Sequence, residues 1–256
     1  MKSYFIHLYD EPNTENLNLK YLAHYLKDLF PNVEIDIRDE FLTHHSKLSS
    51  DELAEFFAKI RVKDKASEPT YGEIEVEKRN LKKGVKGVLY DGFKLSNLFY
   101  QLLNEEESNL RHVHLCLTPR LIATYDFNDR RYHIRSIILT FPPIISLSGI
   151  VEGPAKPREF YLALRTFRME DIPLVWERLK EDFKEKFIDY NDERINEVLK
   201  GYFLQAIFYQ WFGEVFCEDI NCRLYNSHWQ EEIIKSQIKS GKLCDKHRKI
   251  LKEFTR

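Results

Sequence analysis

The sequence predicts an α/β (α+β) protein with a mixed sheet, flanking helices and a small cysteine-containing subdomain at its C-terminus. Three observations support this fold class. Strand and helix patterns alternate over the first 110 residues, and strand patterns dominate the segment that follows. The remainder is mostly helical, and three of the four cysteines lie within its last 40 residues.

The N-terminal elements are two strands separated by a helix. Residues 4–9 form a short apolar run that is typical of a strand. Residues 33–37 alternate apolar and charged side chains, as a half-exposed strand does. Between them, residues 17–30 are predicted to be helical because apolar side chains recur at helical spacing, at Leu19, Leu22, Leu26 and Phe30.

The next elements are a helix, a strand and a second helix. Ser49 supplies an N-cap and the following acidic residues a favourable first turn for a helix that extends to about residue 62. Residues 85–90 are predicted to form a strand and residues 93–103 a helix. Residues 63–84 are charged and lack clean periodicity, so we expect a mobile insertion or loop there.

The middle of the chain is rich in strand patterns. They cover residues 113–117, 121–125 and 131–141, and Asn128-Asp129 predicts a hairpin turn between the last two. Residues 146–161 contain two glycines and two prolines, which indicates an irregular but well-defined loop.

Two helices are predicted in the C-terminal third, at residues 170–186 and 192–216. The second carries a broad apolar surface and should be buried. We therefore divide the chain into an N-terminal β/α part (1–110), a core (111–216) and a C-terminal subdomain (217–256). We expect the three to form one continuous globular unit.

Composition excludes several classes of function. Lysine and arginine total 39 and aspartate and glutamate 41, so the formal net charge is −2, which favours neither nucleic acid nor a membrane surface. No targeting segment opens the chain, and no apolar run has the length of a membrane span. We expect a soluble, cytoplasmic protein, and in a reducing compartment clustered cysteines favour metal over disulfides.

The C-terminal cysteines have the spacing of a metal site, C-x4-C-x21-C-x2-H. Cys217 and Cys222 would supply one pair of ligands, and Cys244 and His247 the second after a returning helix at residues 229–238. Zinc favours four nitrogen or sulfur ligands in a tetrahedron. Because four protein ligands leave no place for water, the sequence predicts one structural zinc ion per chain.

Alternatives exist for each of these residues. His228 could replace His247 as the fourth ligand, or the cysteines could be unrelated small core residues and the histidine a surface one. Cys116 lies in a strand pattern and is interpreted as a core residue. His112 and His114 would point to one face of that strand, as half-exposed side chains or as a two-histidine metal site.

The segment that leads into the cysteines resembles the archaemetzincins. In that family a zinc-protease helix reads H-E-x-x-H-x-x-G-x-x-H, a cysteine follows at once, another follows after four residues, and a distant C-x-x-C completes a structural zinc site. Gly213 stands at the helix-ending glycine, Cys217 and Cys222 stand at the first two cysteines, and Cys244 stands at the third. His247 takes the place of the fourth.

Three further stretches, at residues 112–120, 131–135 and 149–161, resemble an archaeal metallopeptidase family distantly related to the archaemetzincins. This likeness extends from about residue 110 to the end of the chain. It implies a metzincin-like mixed sheet, with the C-terminal cysteines as a zinc knuckle.

The catalytic positions of that helix are replaced. Ala206 and Ile207 stand at the first zinc histidine and the general base, and Gln210 and Phe216 at the other two histidines. Leu224 replaces a methionine that follows the second cysteine. A metzincin needs three imidazoles to hold zinc and a glutamate to take the proton from zinc-bound water. These side chains cannot perform that chemistry, so we assign no catalytic residue.

The leading hypothesis is a non-catalytic relative that keeps the fold and the structural zinc. It would bind a protein or peptide through the former substrate cleft, with residues 149–161 either as a rim or as an ordinary connector. The alternative is an active metal-dependent peptidase with a relocated site that uses His133 or His114. A zinc-ribbon-like nucleic-acid module is a third hypothesis, which the composition does not favour. The sequence predicts no oligomeric state.

Overall fold

The computed structural model describes residues 3–63, 67–167 and 172–255, with the backbone alone described at residues 172–174. Its N-terminal half contains strands β1 (Phe5–Tyr9), β2 (Glu34–Arg38), β3 (Leu89–Asp91) and β4 (His112–Thr118), with helices α1 (Leu19–Leu29), α2 (Phe41–His44), α3 (Ser50–Lys59), α4 (Tyr71–Arg79) and α5 (Gly92–Leu102) between them.

The second half contains β5 (Leu121–Asp126), β6 (Arg131–Arg135), β7 (Ile137–Ile138) and β8 (Ile144–Ser146), followed by helices. These are α6 (Leu147–Glu152), α7 (Arg158–Leu164), α8 (Ile172–Phe183), α9 (Ile195–Phe212), α10 (Gln230–Ile233) and α11 (Asp245–Phe254). A π-helix, Ile234–Ser240, continues α10.

The main sheet has the strand order β2-β1-β4-β8-β7. Its first four strands are parallel, and β7 is antiparallel at the edge. A smaller sheet has the order β3-β5-β6, in which β5 and β6 form the predicted hairpin. The predicted mixed sheet with flanking helices is therefore confirmed. No helix in the described ranges is both long and apolar enough to cross a membrane.

The two faces of the main sheet pack into different cores because strand side chains alternate. Val113, Leu115 and Leu117 of β4 join α1 and α9 in the larger core, which also receives Leu224 and Leu251 from the C-terminal subdomain. Cys116 points the opposite way into a second core with α5, and it is fully buried as predicted. The buried α9 thus lies between the sheet and the C-terminal subdomain.

Several predicted elements need correction. Residues 63–84 are not a continuous loop, because Thr70 caps α4 and Glu77 of that helix is fully buried against Arg61 and Tyr90. The segment 146–161 contains α6 and the start of α7 instead of an irregular loop. Of the helix predicted at 170–186, residues 170 and 171 lie outside the described residues. Helix α8 ends at Phe183, and a 3-10 helix, Lys184–Lys186, continues it to the predicted end.

Two boundaries also differ. The helix predicted at 192–216 spans only Ile195–Phe212, since Gly213 has a φ of 68° and ends it. The strand predicted at 131–141 divides into β6 and β7, which belong to different sheets. The capping of α3 by Ser49 is confirmed, and Glu52 completes its capping box.

Candidate functional site

The four C-terminal side chains predicted to bind zinc come together in space. Gly213 turns the chain out of α9, and the following loop carries Cys217 and Cys222. Cys244 is the N-cap of α11, and His247 lies in the first turns of that helix. Potential ligand atoms of all four residues lie within 4.8 Å of one another.

The donor atoms have the spacing that a tetrahedral zinc ion requires. Ligands at about 2.3 Å from such an ion lie about 3.8 Å apart. The Sγ atoms of Cys217 and Cys244 are 3.9 Å apart, and the Nδ1 atom of His247 lies 3.5 Å from Cys222 Sγ and 3.0 Å from Cys244 Sγ. Three sulfurs and one imidazole are the donor set of known structural zinc sites. The residues present therefore fit zinc.

The hydrogen bonds around the cluster also orient the cysteine sulfurs and the His247 ring for binding a metal ion. The backbone N–H groups of Asp219 and Cys244 each point at a cysteine sulfur, at 3.4 Å. His247 is fully buried and directs Nδ1 towards the sulfurs. Its Nε2 atom has no hydrogen-bond partner among the described residues, and Glu214 Oε2 lies 3.7 Å away. A ligating histidine typically directs its second nitrogen at such a carboxylate.

Burial disfavours charge in this cluster when no cation is present. It raises the pKa of the Cys222 thiol to about 12 and raises the pKa of Cys217. Burial also lowers the pKa of His247, which favours the neutral imidazole that a metal ion requires. A divalent cation reverses the preference of the thiols, because coordinated cysteines lose their protons. Zinc would therefore supply the positive charge that holds the loop and α11 together.

The catalytic-type positions on α9 have structural roles. Ala206 and Ile207 are fully buried in the main core. Gln210 donates from Nε2 to the backbone carbonyls of Leu110 and His112, at 3.1 and 2.8 Å. This residue therefore fastens α9 to the start of β4.

The remaining predicted residues lie elsewhere. His228 contacts Asn226, and its carbonyl accepts a hydrogen bond from Ala155, so it is not grouped with the cysteines. His133 pairs with Asp129 near the β5–β6 turn, with Nε2 2.6 Å from Oδ2. Residues 229–238 form α10 and most of the π-helix, which return the chain to Cys244 as expected.

His112 and His114 belong to a larger cluster that sequence patterns alone did not reveal. His112 is half-buried as expected, but His114 is fully buried. The parallel register of β1 and β4 pairs His7 with His114, and His7 Nε2 lies 2.9 Å from His112 Nδ1. Burial lowers the pKa of His114 to about 3. The available sequence signal was the single histidine, His7, within the apolar run of residues 4–9, but its pairing partner on β4 is more than 100 residues away.

A cleft of about 1000 Å³ lies at the carboxyl ends of β1, β4 and β8. Open α/β sheets commonly bind ligands at this edge. Its walls include Pro119, Ile134 of β6, Glu152 of α6, and Tyr190, which is 49% exposed. The N-terminal residue of α9, Ile195, also lines it, whereas Gln210 lies 15 residues further along the helix, roughly 22 Å away. The replaced catalytic positions are therefore not in this cleft.

Comparison with protein-family models shows that residues 2–254 match the family described as "Probable metallopeptidase family (DUF6775)". The match covers nearly the whole chain, so the protein belongs to this family. No curated protein and no solved structure matches the chain. The family description agrees with the metallopeptidase resemblance and with the presence of a metal-ligand cluster.

Proposed function

We propose that this member of the metallopeptidase family is a non-catalytic, zinc-stabilised protein that binds a peptide segment. The observation that carries the proposal is the structural role of the α9 residues at the catalytic positions. Ala206 and Ile207 lie in the core, and Gln210 uses its amide to bind backbone carbonyls. A protease helix of the archaemetzincin type would need zinc ligands and a general base at these positions.

The zinc ion of the proposal is structural, and one ion per chain is held by Cys217, Cys222, Cys244 and His247. The four protein ligands would fill the coordination sphere, so the ion would offer no open position to water or substrate. The same arrangement supports the relationship to archaeal archaemetzincins, with His247 in place of the last cysteine. All four cysteines are free of disulfides, which suits the reducing cytoplasm.

The cleft at the carboxyl ends of the parallel strands is the proposed peptide site. Strand β6 forms the edge of the smaller sheet and contributes Ile134 to the cleft wall. An extended peptide can add to such an edge through backbone hydrogen bonds and place alternate side chains in pockets. Val151 and Glu152, from the segment expected as a rim, also line the cleft. Tyr190 offers a half-exposed aromatic ring as an anchor.

A display library of random short peptides, panned against the zinc-loaded protein, tests the peptide site. We expect enriched peptides to bind at least tenfold more weakly to Tyr190→Ala, since truncation of a central aromatic anchor typically costs more than about 1 kcal/mol. Tyr71→Ala is the matched control, because Tyr71 is 78% exposed on α4 and does not line the cleft. Enriched peptides that bind both variants like the wild type would overturn the proposed site.

The absence of catalysis is tested with the same zinc-loaded protein and a fluorogenic peptide library. We expect no cleavage that a chelator abolishes. The second candidate function is a peptidase with a relocated metal site that uses His114 or His133. Potential ligand atoms lie within 4.8 Å of one another in two groups, His7–Glu107–His114 and Asp126–Asp129–His133. Chelator-sensitive cleavage that disappears in His114→Gln or in His133→Gln would establish that function instead, and the inactive variant would show which group holds the metal.

A further inference from the structure

Three histidines form one layer on β1 and β4. The register pairs His7 with His114 and places His112 two pairs earlier, opposite Phe5. All three point away from Val113 and Leu115, which share the main core with α9. The ring centroids of His7 lie 5.2 Å from His112 and 4.8 Å from His114. This layer is therefore on the opposite face of the sheet from α9.

Asp36 fixes the orientation of His7. Its Oδ1 atom lies 2.7 Å from His7 Nδ1, and because an ionised carboxylate only accepts hydrogen bonds, Nδ1–H must be the donor. In the neutral imidazole, Nε2 of His7 then carries a lone pair directed into the cluster, 2.9 Å from Nδ1 of His112. Two imidazole nitrogens at this distance require a proton or a metal cation between or beside them. A carboxylate behind a histidine is also the usual support of a metal ligand.

His114 and Glu107 complete a set of donors. Their potential ligand atoms and that of His7 lie within 4.8 Å of one another. The Glu107 carboxylate accepts two hydrogen bonds from Arg38, at 2.6 and 2.7 Å. A carboxylate offers about four lone pairs, so this pair leaves capacity for a cation. His7 is 3% exposed and His114 fully buried, whereas the side chain of Glu107 is 21% exposed and opens the cluster to solvent.

We propose that His7, His114 and Glu107, with His112 beside them, bind a divalent transition-metal ion such as zinc, cobalt or nickel. Imidazole nitrogens and a carboxylate oxygen suit these ions, and the two histidines are fixed by neighbouring strands of one sheet. Asp36 and the Tyr9 hydroxyl, which lies 2.9 Å from His114 Nδ1, orient the two rings. His114 Nε2 lies 3.1 Å from the Glu107 backbone carbonyl, and metal binding would replace this hydrogen bond. This site shares no residue with the cysteine cluster, so its occupancy does not depend on the proposed function.

Cobalt titration of the full-length protein, prepared with a single equivalent of zinc for the cysteine cluster, tests this site. We expect one equivalent of Co²⁺ to bind with weak visible absorption and without the intense near-ultraviolet band that a thiolate ligand produces. The His7→Gln substitution should weaken binding at least tenfold, and His112→Gln should weaken it less. His24→Gln is the matched control, because His24 lies exposed on α1 and should leave binding unchanged.

The results of the cobalt titration distinguish a metal ion bound by the histidines from a proton shared between them. If the wild type binds no Co²⁺, or if all the bound Co²⁺ shows the thiolate band, the histidines share protons only and the proposal is wrong. Equal binding by wild type and a folded His7→Gln variant would also overturn it. If His7→Gln fails to fold, an anomalous difference map of cobalt-soaked wild-type crystals decides: a peak among His7, His114 and Glu107 supports the site, and none refutes it.

Discussion

Arg223 connects the candidate zinc cluster to the buried helix α9 through Glu197. Arg223 follows Cys222 directly, and its Nη1 and Nη2 atoms donate to the carbonyl and the Oε2 atom of Glu197, at 2.7 and 3.0 Å. Its Nε atom donates to the carbonyl of Gly241, at 2.7 Å. Only 3% of Arg223 is exposed. The loop between the first two cysteines is thus anchored to the core by a buried, charge-assisted network.

The substitution Arg223→Met should lower the free energy of unfolding of the zinc-loaded protein by about 3 kcal/mol. It keeps the side-chain volume but leaves Glu197 without one of its cationic partners, and breaking a buried pair on one side is strongly destabilising. Urea unfolding measures the effect. Arg248→Met is the control, since Arg248 forms an exposed pair with Asp245 and should change stability by less than about 1 kcal/mol. Equal losses in the two variants would contradict the anchoring role.

The lowered pKa of Glu197 predicts that the stability of the protein depends on pH. Burial raises its pKa, but hydrogen bonds from Lys200, Tyr21 and Arg223 outweigh burial and lower the pKa to about 2. A carboxyl whose folded pKa is below its unfolded value contributes stability above the unfolded pKa, near 4.5. That stability is lost as the pH falls towards about 2. Because the side chain is 35% exposed, solvent screening reduces the contribution to about 1–2 kcal/mol.

Unfolding of wild type and Glu197→Gln across this range measures that contribution. Acid also protonates the ligands of the candidate zinc site in both proteins, so the informative quantity is the difference between their free energies of unfolding. We expect the wild-type advantage to shrink by about 1–2 kcal/mol between pH 4.5 and pH 2. An advantage that stays constant over this range would show that Glu197 is not stabilised as its ionised form.

Gly201 is required where α9 approaches the π-helix. A Cβ atom added there would lie 1.9 Å from Gln237 Oε1, and Gln237 is buried with its amide bound to the Arg223 carbonyl. Gly201→Ala should therefore destabilise the protein by about 2–3 kcal/mol in thermal or urea unfolding, although alanine favours helix. Gly72→Ala on α4 meets no atom within 4 Å and should be neutral or up to about 1 kcal/mol stabilising. If Gly201→Ala behaves like Gly72→Ala, the packing argument fails.

Restoring the protease motif on α9 should not restore a protease. The triple variant Ala206→His, Ile207→Glu and Gln210→His places a carboxylate in a fully buried position. It also removes the two hydrogen bonds from Gln210 to the carbonyls of Leu110 and His112. We expect a loss of about 4 kcal/mol or more in the free energy of unfolding, and no chelator-sensitive peptide cleavage. Tyr209→Glu, at a 37% exposed site on the same helix, is the control and should have a small effect. A stable, peptide-cleaving triple variant would show that the helix still borders an active site.

The parts of the fold that the sequence predicted were those with strong local signals. The Ser49 cap and the leucine spacing of α1 are short-range patterns. The cysteine–histidine set was recognisable because zinc ligands are few in kind and their spacing is constrained. Helix α4 was missed because Glu77 is buried by pairing with Arg61 and by the Tyr90 hydroxyl, so its charge conceals the periodicity. The end of α9 could have been placed at Gly213, a common signal for a helix terminus.

Long-range arrangements could not be read from the sequence. The histidine layer depends on the register of β1 against β4, which no local pattern of residues 5–9 specifies. The cleft depends on several loops converging at the carboxyl ends of the strands, and it lies at the far end of α9 from Gln210. Sequence similarity predicts a substrate cleft at the replaced catalytic positions of α9. In the structure, two of these positions, Ala206 and Ile207, are fully buried core residues.

Zinc content of purified, dialysed wild type, Cys244→Ser and Cys116→Ser tests the central claim most directly. Cys244 belongs to the convergent cluster, whereas Cys116 is isolated in the second core. We predict that Cys244→Ser contains one equivalent less zinc per chain than the wild type, and that Cys116→Ser contains the same amount as the wild type. Equal zinc content in wild type and folded Cys244→Ser would contradict the account.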